Sequence, residues 1–405
     1  MVDQIKEETS KKKIIILPAI FDHIEIVQVA QNMGYEVITC DNLPSNPAHS
    51  FGNIAKNVSL LDFDSLCSLA KEYNIDAVAA FSTDIGAISA AHIAKESKLI
   101  NNPLEVVQTM ANKGLFRTFL LQNNFKTPPF QVINSLNELE LKELTFPAII
   151  KPIDRAGSKG VCKVSNYTEL EDQFEITKSF SFDKKVIVEE YIESGLHHIH
   201  GDGIVQNGKL IFLCLGDQFF GSGESKYAPI ATSFPSTAPT GILNKIHQEL
   251  QRFISTVGYE NGGINTEIRI KGNNDVYFIE IAPRFGGNYI AKTIGLACNL
   301  NIIRYAFLIA IGEKINIPKY TVNDCIFQFS LRAENDGIFK TIKIKNQDKF
   351  KVLDSYTLKE NGDLIKLGKG PENIISVFIL EATNKKIKKD IIHNTLKYFE
   401  IYTEK

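Results

Sequence analysis

The stretch 265–288, NTEIRIKGNNDVYFIEIAPRFGGN, restricts the chain's possible folds more than any other. Two short β-prone runs, 265–270 and 276–281, flank the cluster Lys271-Gly272-Asn273-Asn274-Asp275, whose composition favours a tight turn. They are expected to pair as a hairpin. Side chains alternate along a strand, so Glu267 and Glu280 project from one face if the register allows. A buried acid pair is costly unless a divalent cation lies between it and a phosphate chain, and magnesium takes hard oxygen ligands together with substrate phosphates. Arg284 follows on the turn leaving the second strand. The plainer reading is a solvated hairpin with ordinary surface charges.

A second signal lies upstream. The run FPAIIKP, 146–152, is an apolar strand carrying Lys151, and DRAGSKGV, 154–161, follows it directly. Glycines and a serine after a strand form a loop whose N–H groups can cradle phosphate oxygens. The GxxxxGK[ST] pattern is absent, so this is no Walker A loop. A glycine turn in a hairpin is the ordinary alternative. The β-rich run KVIVEEYI, 185–192, is suited to hydrogen-bonding an adenine edge through its backbone, or is simply a buried strand with a charged end.

In this order and spacing the pieces resemble the ATP-grasp superfamily: Lys113 in ANKG, Lys151 in AIIKP, the loop GSKGV, the hinge VEEYI, and the acidic wall TEIRI followed by FIEIAPRFGG. The resemblance implies ATP with Mg2+, Mn2+ being the alternative ion. It implies that Lys113 and Lys151 contact phosphates, that Gly157, Ser158 and Gly160 form a lid loop, that Glu189, Tyr191 and Ile192 frame the adenine, and that Glu190 belongs to the same ATP-binding set. Glu267 and Glu280 would hold the metal. Arg284 would steady an acyl phosphate or tetrahedral intermediate, with Gly287 and Asn288 as substrate contacts. Three positions depart from the family pattern. Ala282 stands where an asparagine often supplies a second metal ligand, Asn112 stands for an aspartate, and a histidine replaces a ribose-contacting glutamate. Counting from either side puts His197 or His198 there. His198, His200 and Asp202 alternate along one strand, which invites a zinc reading, but no cysteine lies near, and strand histidines facing the nucleotide cleft are preferred.

The implied architecture is mixed α/β and α+β: a tail, 1–12; a Rossmann-like domain, 13–101; a linker helix, 102–126; a lid, 127–192; a larger lobe with the metal site, 193–317; and a small C-terminal subdomain, 318–405. The first domain supports this from its own pattern, since strands at 14–17, 36–40 and 77–81 alternate with helices at 24–33 and 62–73, which indicates a parallel sheet covered on both faces. Its first turn, Pro18-Ala19-Ile20-Phe21-Asp22, is not GxGxxG, and this removes the main support for a nicotinamide-dependent oxidoreductase. Asp22 and Asp84 are minor second-substrate candidates. The segment 216–229, rich in glycine and serine, suggests an active-site loop in which Asp217 would bind substrate and Lys226 would act in catalysis. The lysine-rich stretch 385–399 is expected to be a closing helix.

A net charge of −2 with mixed signs argues against a nucleic-acid surface. Six cysteines without CxxC spacing suit reduced thiols in the cytoplasm. No run reaches the roughly 18 apolar residues of a membrane span. The resemblance implies activation of a carboxylate as an acyl phosphate and its ligation to an amine, both small molecules, with release of ADP and phosphate; the EIAPRFGG turn points to an amino-acid-type substrate, and a homodimer is allowed. Biotin-carboxylase-like or purine-carboxylase-like chemistry is the alternative, and a nucleotide-binding protein without turnover is the non-enzyme reading.

Overall fold

The structure, a computed structural model, describes residues 11–155, 157–193, 198–221, 228–272, 274–333, 335–367 and 373–404. The first unit alternates β1 (Lys13–Leu17), α1 (Ile24–Asn32), β2 (Glu36–Asp41), β3 (Ile54–Asn57), α2 (Phe63–Tyr73), β4 (Ala77–Ala80) and α3 (Asp84–Ser97). The strands form a parallel sheet in the order β3-β2-β1-β4. Strand β1 is apolar from Ile14 to Leu17 because both faces are covered there. Ile14 and Ile16 meet Ile26, Val27 and Ala30 of α1, while Ile15 and Leu17 meet Leu66 of α2 and Ile93 of α3. The expected Rossmann-like pattern is present. Strand β3 and helix α3 were not picked out from the sequence; α3 starts where the Thr83 hydroxyl caps the Gly86 N–H.

The single linker helix is in fact two, α4 (Leu104–Ala111) and α5 (Lys113–Gln122). Asn112 breaks them: its backbone is extended, and its side-chain oxygen accepts from the N–H groups of Gly114 and Leu115. This cap restarts the chain as a helix with Lys113 as its first residue. An asparagine serves that purpose as well as an aspartate does.

Next come β5 (Phe130–Ile133), β6 (Ala148–Pro152), β7 (Cys162–Val164), α6 (Tyr167–Phe180) and β8 (Val186–Glu190), an antiparallel sheet in the order β5-β8-β6-β7. Even-numbered Ala148, Ile150, Val186 and Val188 pack with Leu170 and Phe174 of α6. The odd positions, Lys151 and Glu189 among them, therefore leave on the other face.

The remainder builds β9 (His198–Gln206), β10 (Lys209–Phe220), β11 (Pro229–Ser233), α7 (Thr240–Val257), β12 (Gly262–Lys271), β13 (Asp275–Ala282), α8 (Ile290–Cys298), α9 (Ile302–Ala310), β14 (Ile326–Arg332), β15 (Gly337–Ile344), β16 (Phe350–Thr357), β17 (Leu364–Ile365), β18 (Ile374–Ala382), α10 (Lys385–His393) and β19 (Phe399–Glu404). An antiparallel sheet runs β13-β12-β9-β10-β11-β14-β18-β16, so three C-terminal strands extend the sheet that carries the hairpin; β17-β15-β19 form a small sheet beside it. Helix α7 covers one face through Ile242, Ile246, Leu250, Phe253 and Ile254, a stripe at helical spacing. Each such burial is worth roughly 1.5–3 kcal/mol. Helices α8 and α9 cover part of the other face. Among the described residues no single helix is long and apolar enough to cross a membrane.

Two expectations change here. The closing helix stops at His393 rather than 399, because Phe399 and Ile401 follow a period of two and pair with β15 as a strand. The loop expected at 216–229 begins later, since β10 continues to Phe220; residues 222–227 lie outside the described part.

Candidate active site

In the hairpin β12–β13, Glu267 pairs directly with Glu280 and Asn265 with Ala282. The next pair is Ile268 with Phe278, which leaves Ile279 as the extra residue of a β-bulge. The bulge resets the phase of β13. Phe278 and Ile281 pack under α7, while Glu280 leaves beside Glu267 on the opposite face. Burial raises the Glu280 carboxyl above its ordinary range against the pull of Lys113. Glu267 has no hydrogen-bond partner among the described residues.

Facing this wall are the cations. Lys113, placed at the first position of α5 by the Asn112 cap, donates from Nζ to the Arg155 carbonyl at 2.7 Å and lies 3.9 Å from Glu280. Lys151 is buried, and its Nζ reaches Glu189 Oε1 at 2.5 Å. Burial brings the Lys151 ammonium down to about 8, opposed by Glu189 and assisted by Arg117 and Lys113. Arg117, one helical turn after Lys113, is 1% exposed and grips both Glu189 oxygens, at 2.8 and 3.3 Å. Its other donors reach the carbonyls of Phe278 and Ile279, so one guanidinium joins α5, β8 and the bulge beside Glu280. Burial works to raise the Glu189 carboxyl, but Arg117 and Lys151 outweigh it and hold it at about 2.

The loop between β6 and β7 has left-handed backbone at Gly157, Ser158 and Gly160. At Gly160 a side chain would also press on Phe180 and Pro152, at 2.9 and 3.0 Å. Glycine is required there on both counts.

Arg284 is the hub on the other side. Nε donates to Asp84 at 2.8 Å, Nη2 to Glu280 at 3.1 Å, and Nη1 to Asn265 Oδ1 and the Phe285 carbonyl. Burial opposes its charge, but Asp84 and Glu280 prevail and keep it protonated. The Asn265 amide nitrogen in turn meets His200 Nε2 at 3.0 Å and Asp202 Oδ1 at 2.8 Å. Gly286 N–H also reaches Asp202, a close approach that a side chain at 286 would block against Asn265 and Ile290. Burial lifts Asp202 to about 7 and lowers His200 to about 4. The next turn is held from the first unit, where Asp22 accepts from the N–H groups of Asn288 and Tyr289, both at 2.9 Å. Burial lifts the Asp22 carboxyl to about 6.

The structure thus brings together Lys113, Lys151, Glu189, Glu267, Glu280, Arg284 and the lid loop, with Gly287 and Asn288 at the Asp22 contact. It revises several assignments. Glu189 was expected to frame a base; its carboxylate is instead committed to Lys151 and Arg117 because it sits on the inward face of β8. Glu190 pairs with Lys271 of the hairpin at 2.9 Å, tying the two sheets together. Asp217 pairs with Ile199, out of phase with the Gly216–His200 pair, so it points to the face away from Glu267. Its oxygens are bound to Ser236 and Thr237, and it is no part of the cleft. Lys226 and His197 lie outside the described residues; His198 begins β9 opposite Arg269. His200 and Asp202 are engaged by Asn265 and Gly286, and no group of three metal-type side chains gathers among the described residues. Tyr191 lies under the Lys163 ammonium at 3.8 Å, and Ile192 is buried.

Three residues were missed. Arg117 could have been found, since it lies four residues after Lys113 and so shares its helix face. Asn265 and Arg269 share the alternation that singled out Glu267, but nothing in the sequence tells which partners they meet. The donor set suits magnesium: two adjacent carboxylates on one rigid hairpin, with room for phosphate oxygens as the remaining ligands. Opposite Ala282, the oxygen of Asn265 is occupied by Arg284.

Two paired acids, the lysines Lys113 and Lys151 and the glycine-rich loop that follows β6 thus gather in one cleft. Residues 110–288 match the family model of the ATP-grasp domain, so this part of the chain carries an ATP-grasp domain. A formate-dependent phosphoribosylglycinamide formyltransferase of Wolinella succinogenes is 29% identical over 64% of this chain and 66% of its own length. One from Sulfurisphaera tokodaii is 30% identical over the same shares. The chain thus spans just under two thirds of these relatives. Among solved structures, an L-amino acid ligase from Bacillus licheniformis superposes with a TM-score of 0.80 at 17% identity, over 98% of this chain and 100% of that one. A phosphoribosylglycinamide synthetase from Anaerococcus prevotii gives 0.76 at 21%, over 97% and 100%. These likenesses show the ATP-grasp fold.

Proposed function

We propose that the protein is an ATP-dependent ligase that activates a carboxylate and joins it to an amine. The observation that carries this is the in-register pair Glu267–Glu280 facing Lys113 and Lys151 across the cleft. A substrate carboxylate oxygen attacks the γ-phosphorus and ADP leaves, giving an acyl phosphate; the amine nitrogen then attacks the acyl carbon, and phosphate leaves. Such transfer needs positioning and neutralised charge more than covalent help from the protein. Glu267 and Glu280 would hold magnesium, which supplies part of that neutralisation. Lys113 and Lys151 supply charge toward the phosphates, and Arg284, fixed by Asp84, Glu280 and Asn265, supplies a donor for the acyl phosphate.

The amine is free of phosphate in this reading. Ligands of parallel α/β sheets sit at the carboxyl ends of the strands, here those of β1 and β4. The turn after β1 offers Phe21 and Asp22, and its Ala19 N–H is already bound to Asp41 at 3.0 Å. The turn after β4 offers Asp84. Asp22 and Asp84 are both acids, already engaged by the Asn288–Tyr289 turn and by Arg284, and a further anion beside them is disfavoured relative to an uncharged amine. The curated relatives are named for a phosphoribosyl substrate, so the two versions separate experimentally.

The test is magnesium-dependent release of ADP and phosphate from ATP, with carboxylates and amines supplied singly and in pairs, phosphoribosylglycinamide with formate among them. Release that requires one acid and one phosphate-free amine is the expected result. Turnover with phosphoribosylglycinamide alone overturns the amine assignment. ATP binding without turnover over the whole panel favours a nucleotide-binding protein.

A further inference from the structure

We infer that Arg269 is a nucleotide-binding residue that holds the sugar of ATP, an inference that rests on the ATP reading above. Arg269 lies two residues beyond Glu267 on β12 and pairs with His198, as Glu267 pairs with His200. The four side chains share one face of the sheet. Its guanidinium stands 5.5 Å from the Phe220 ring, which in turn lies 5.0 Å from the His198 ring. The hinge residue Tyr191 is near enough to act on its charge. This corner continues the acidic wall outward, past the metal position and toward the hinge.

The guanidinium makes no hydrogen bond or ion pair with any described residue, and its Nη1 is enclosed without an acceptor. Its surroundings are Phe220, His198 and Tyr191, with the Glu267 carboxylate two residues back along β12 near enough to favour its charge but making no hydrogen bond or ion pair to it. An enclosed cationic donor without an acceptor is costly, and so is retained where a ligand supplies the acceptor. The residue as a whole is only partly buried, so a ligand can reach the guanidinium without unfolding the sheet. Phosphates belong with Lys113, Lys151 and the lid loop, at the other end of the wall. What lies farther out along the same nucleotide is its nucleoside half, and ribose hydroxyl oxygens are acceptors that a guanidinium can bind. Burial and the neighbouring Arg269 hold His198 at about 4, so at neutral pH its ring is uncharged beside that cation.

The experiment is calorimetric titration of the full chain with ATP and with magnesium tripolyphosphate, which lacks the nucleoside. Arg269→Met keeps the length of the side chain and removes its donors. The expected result is ATP binding about tenfold or more weaker, the usual size for a lost charged hydrogen bond, with tripolyphosphate binding unchanged. Equal weakening of both ligands, or native ATP affinity in the variant, overturns the assignment. Arg269→Lys, with its unliganded Tm compared with the parent, covers the case in which the methionine variant fails to fold; native ATP affinity in a folded lysine variant also counts against a specific guanidinium contact. If the parent chain itself does not bind ATP, it is the ATP reading that fails.

Discussion

At the scale of single residues, the site is a set of charges that hold one another in place. Glu189 is the clearest case, because Arg117 and Lys151 both depend on it for compensation. Replacing it with glutamine leaves two buried cations facing each other, and a loss of about 3–5 kcal/mol in urea unfolding is expected. The same carboxylate gives a pH signature. Its folded value of about 2 lies below the ordinary 4.5, so its contribution of about 3 kcal/mol is present above pH 4.5 and disappears as pH falls toward 2. Stability measured across that window should decline in the parent and be flatter in Glu189→Gln. Lys151 predicts the opposite limb of the kinetics. It must carry its proton to neutralise phosphate, and its value of about 8 sets kcat/KM for ATP to fall as pH rises through 8. A profile flat to pH 10 would show that its charge is not needed. For the wall itself, Glu280→Ala and Arg284→Ala should each lower turnover roughly 10²-fold or more. Full activity in Glu280→Ala would remove the metal assignment.

At the scale of elements, the hairpin and the lid loop carry the site through backbone geometry. The bulge at Ile279 is what puts Glu280 on the same face as Glu267, and Arg117 binds the carbonyls on either side of the 278–279 peptide. The lid loop uses three left-handed residues, and at Gly160 there is also no room for a side chain. Gly160→Ala combines a disfavoured φ of +71° with contact on Phe180 and Pro152. The expected outcome is a raised KM for ATP and a stability loss of about 1–2 kcal/mol, since the strain falls on the loop and not on a core. A kinetically silent variant would mean that the loop does not cover the phosphates.

At the scale of the whole molecule, the N-terminal unit takes part in shaping the site. Asp84, at the start of α3, holds Arg284 from across the interface, and Asp22 holds the Asn288–Tyr289 turn. A double-mutant cycle between Asp84→Asn and Arg284→Lys should show a coupling of about 0.5–3 kcal/mol in stability. Additive losses would indicate that the two units dock independently of this pair.

Local patterns were enough to read the parallel sheet of the first unit, the hairpin with its two glutamates, and the strand–loop pair around Lys151, because each rests on periodicity or turn chemistry within some 25 residues. The order of those pieces along the chain was enough to point to the superfamily. What tertiary structure alone decided were the partners. Whether Glu189 meets a base or Lys151 depends on which face of β8 turns inward, and Asp217 left the cleft because β10 runs one phase out from His200. Asp84 reaches Arg284 over a separation of 200 residues. Such pairings are made by packing between elements distant in sequence, so periodicity along the chain carries no trace of them, whereas the residue types that a phosphate and a magnesium ion require are written locally.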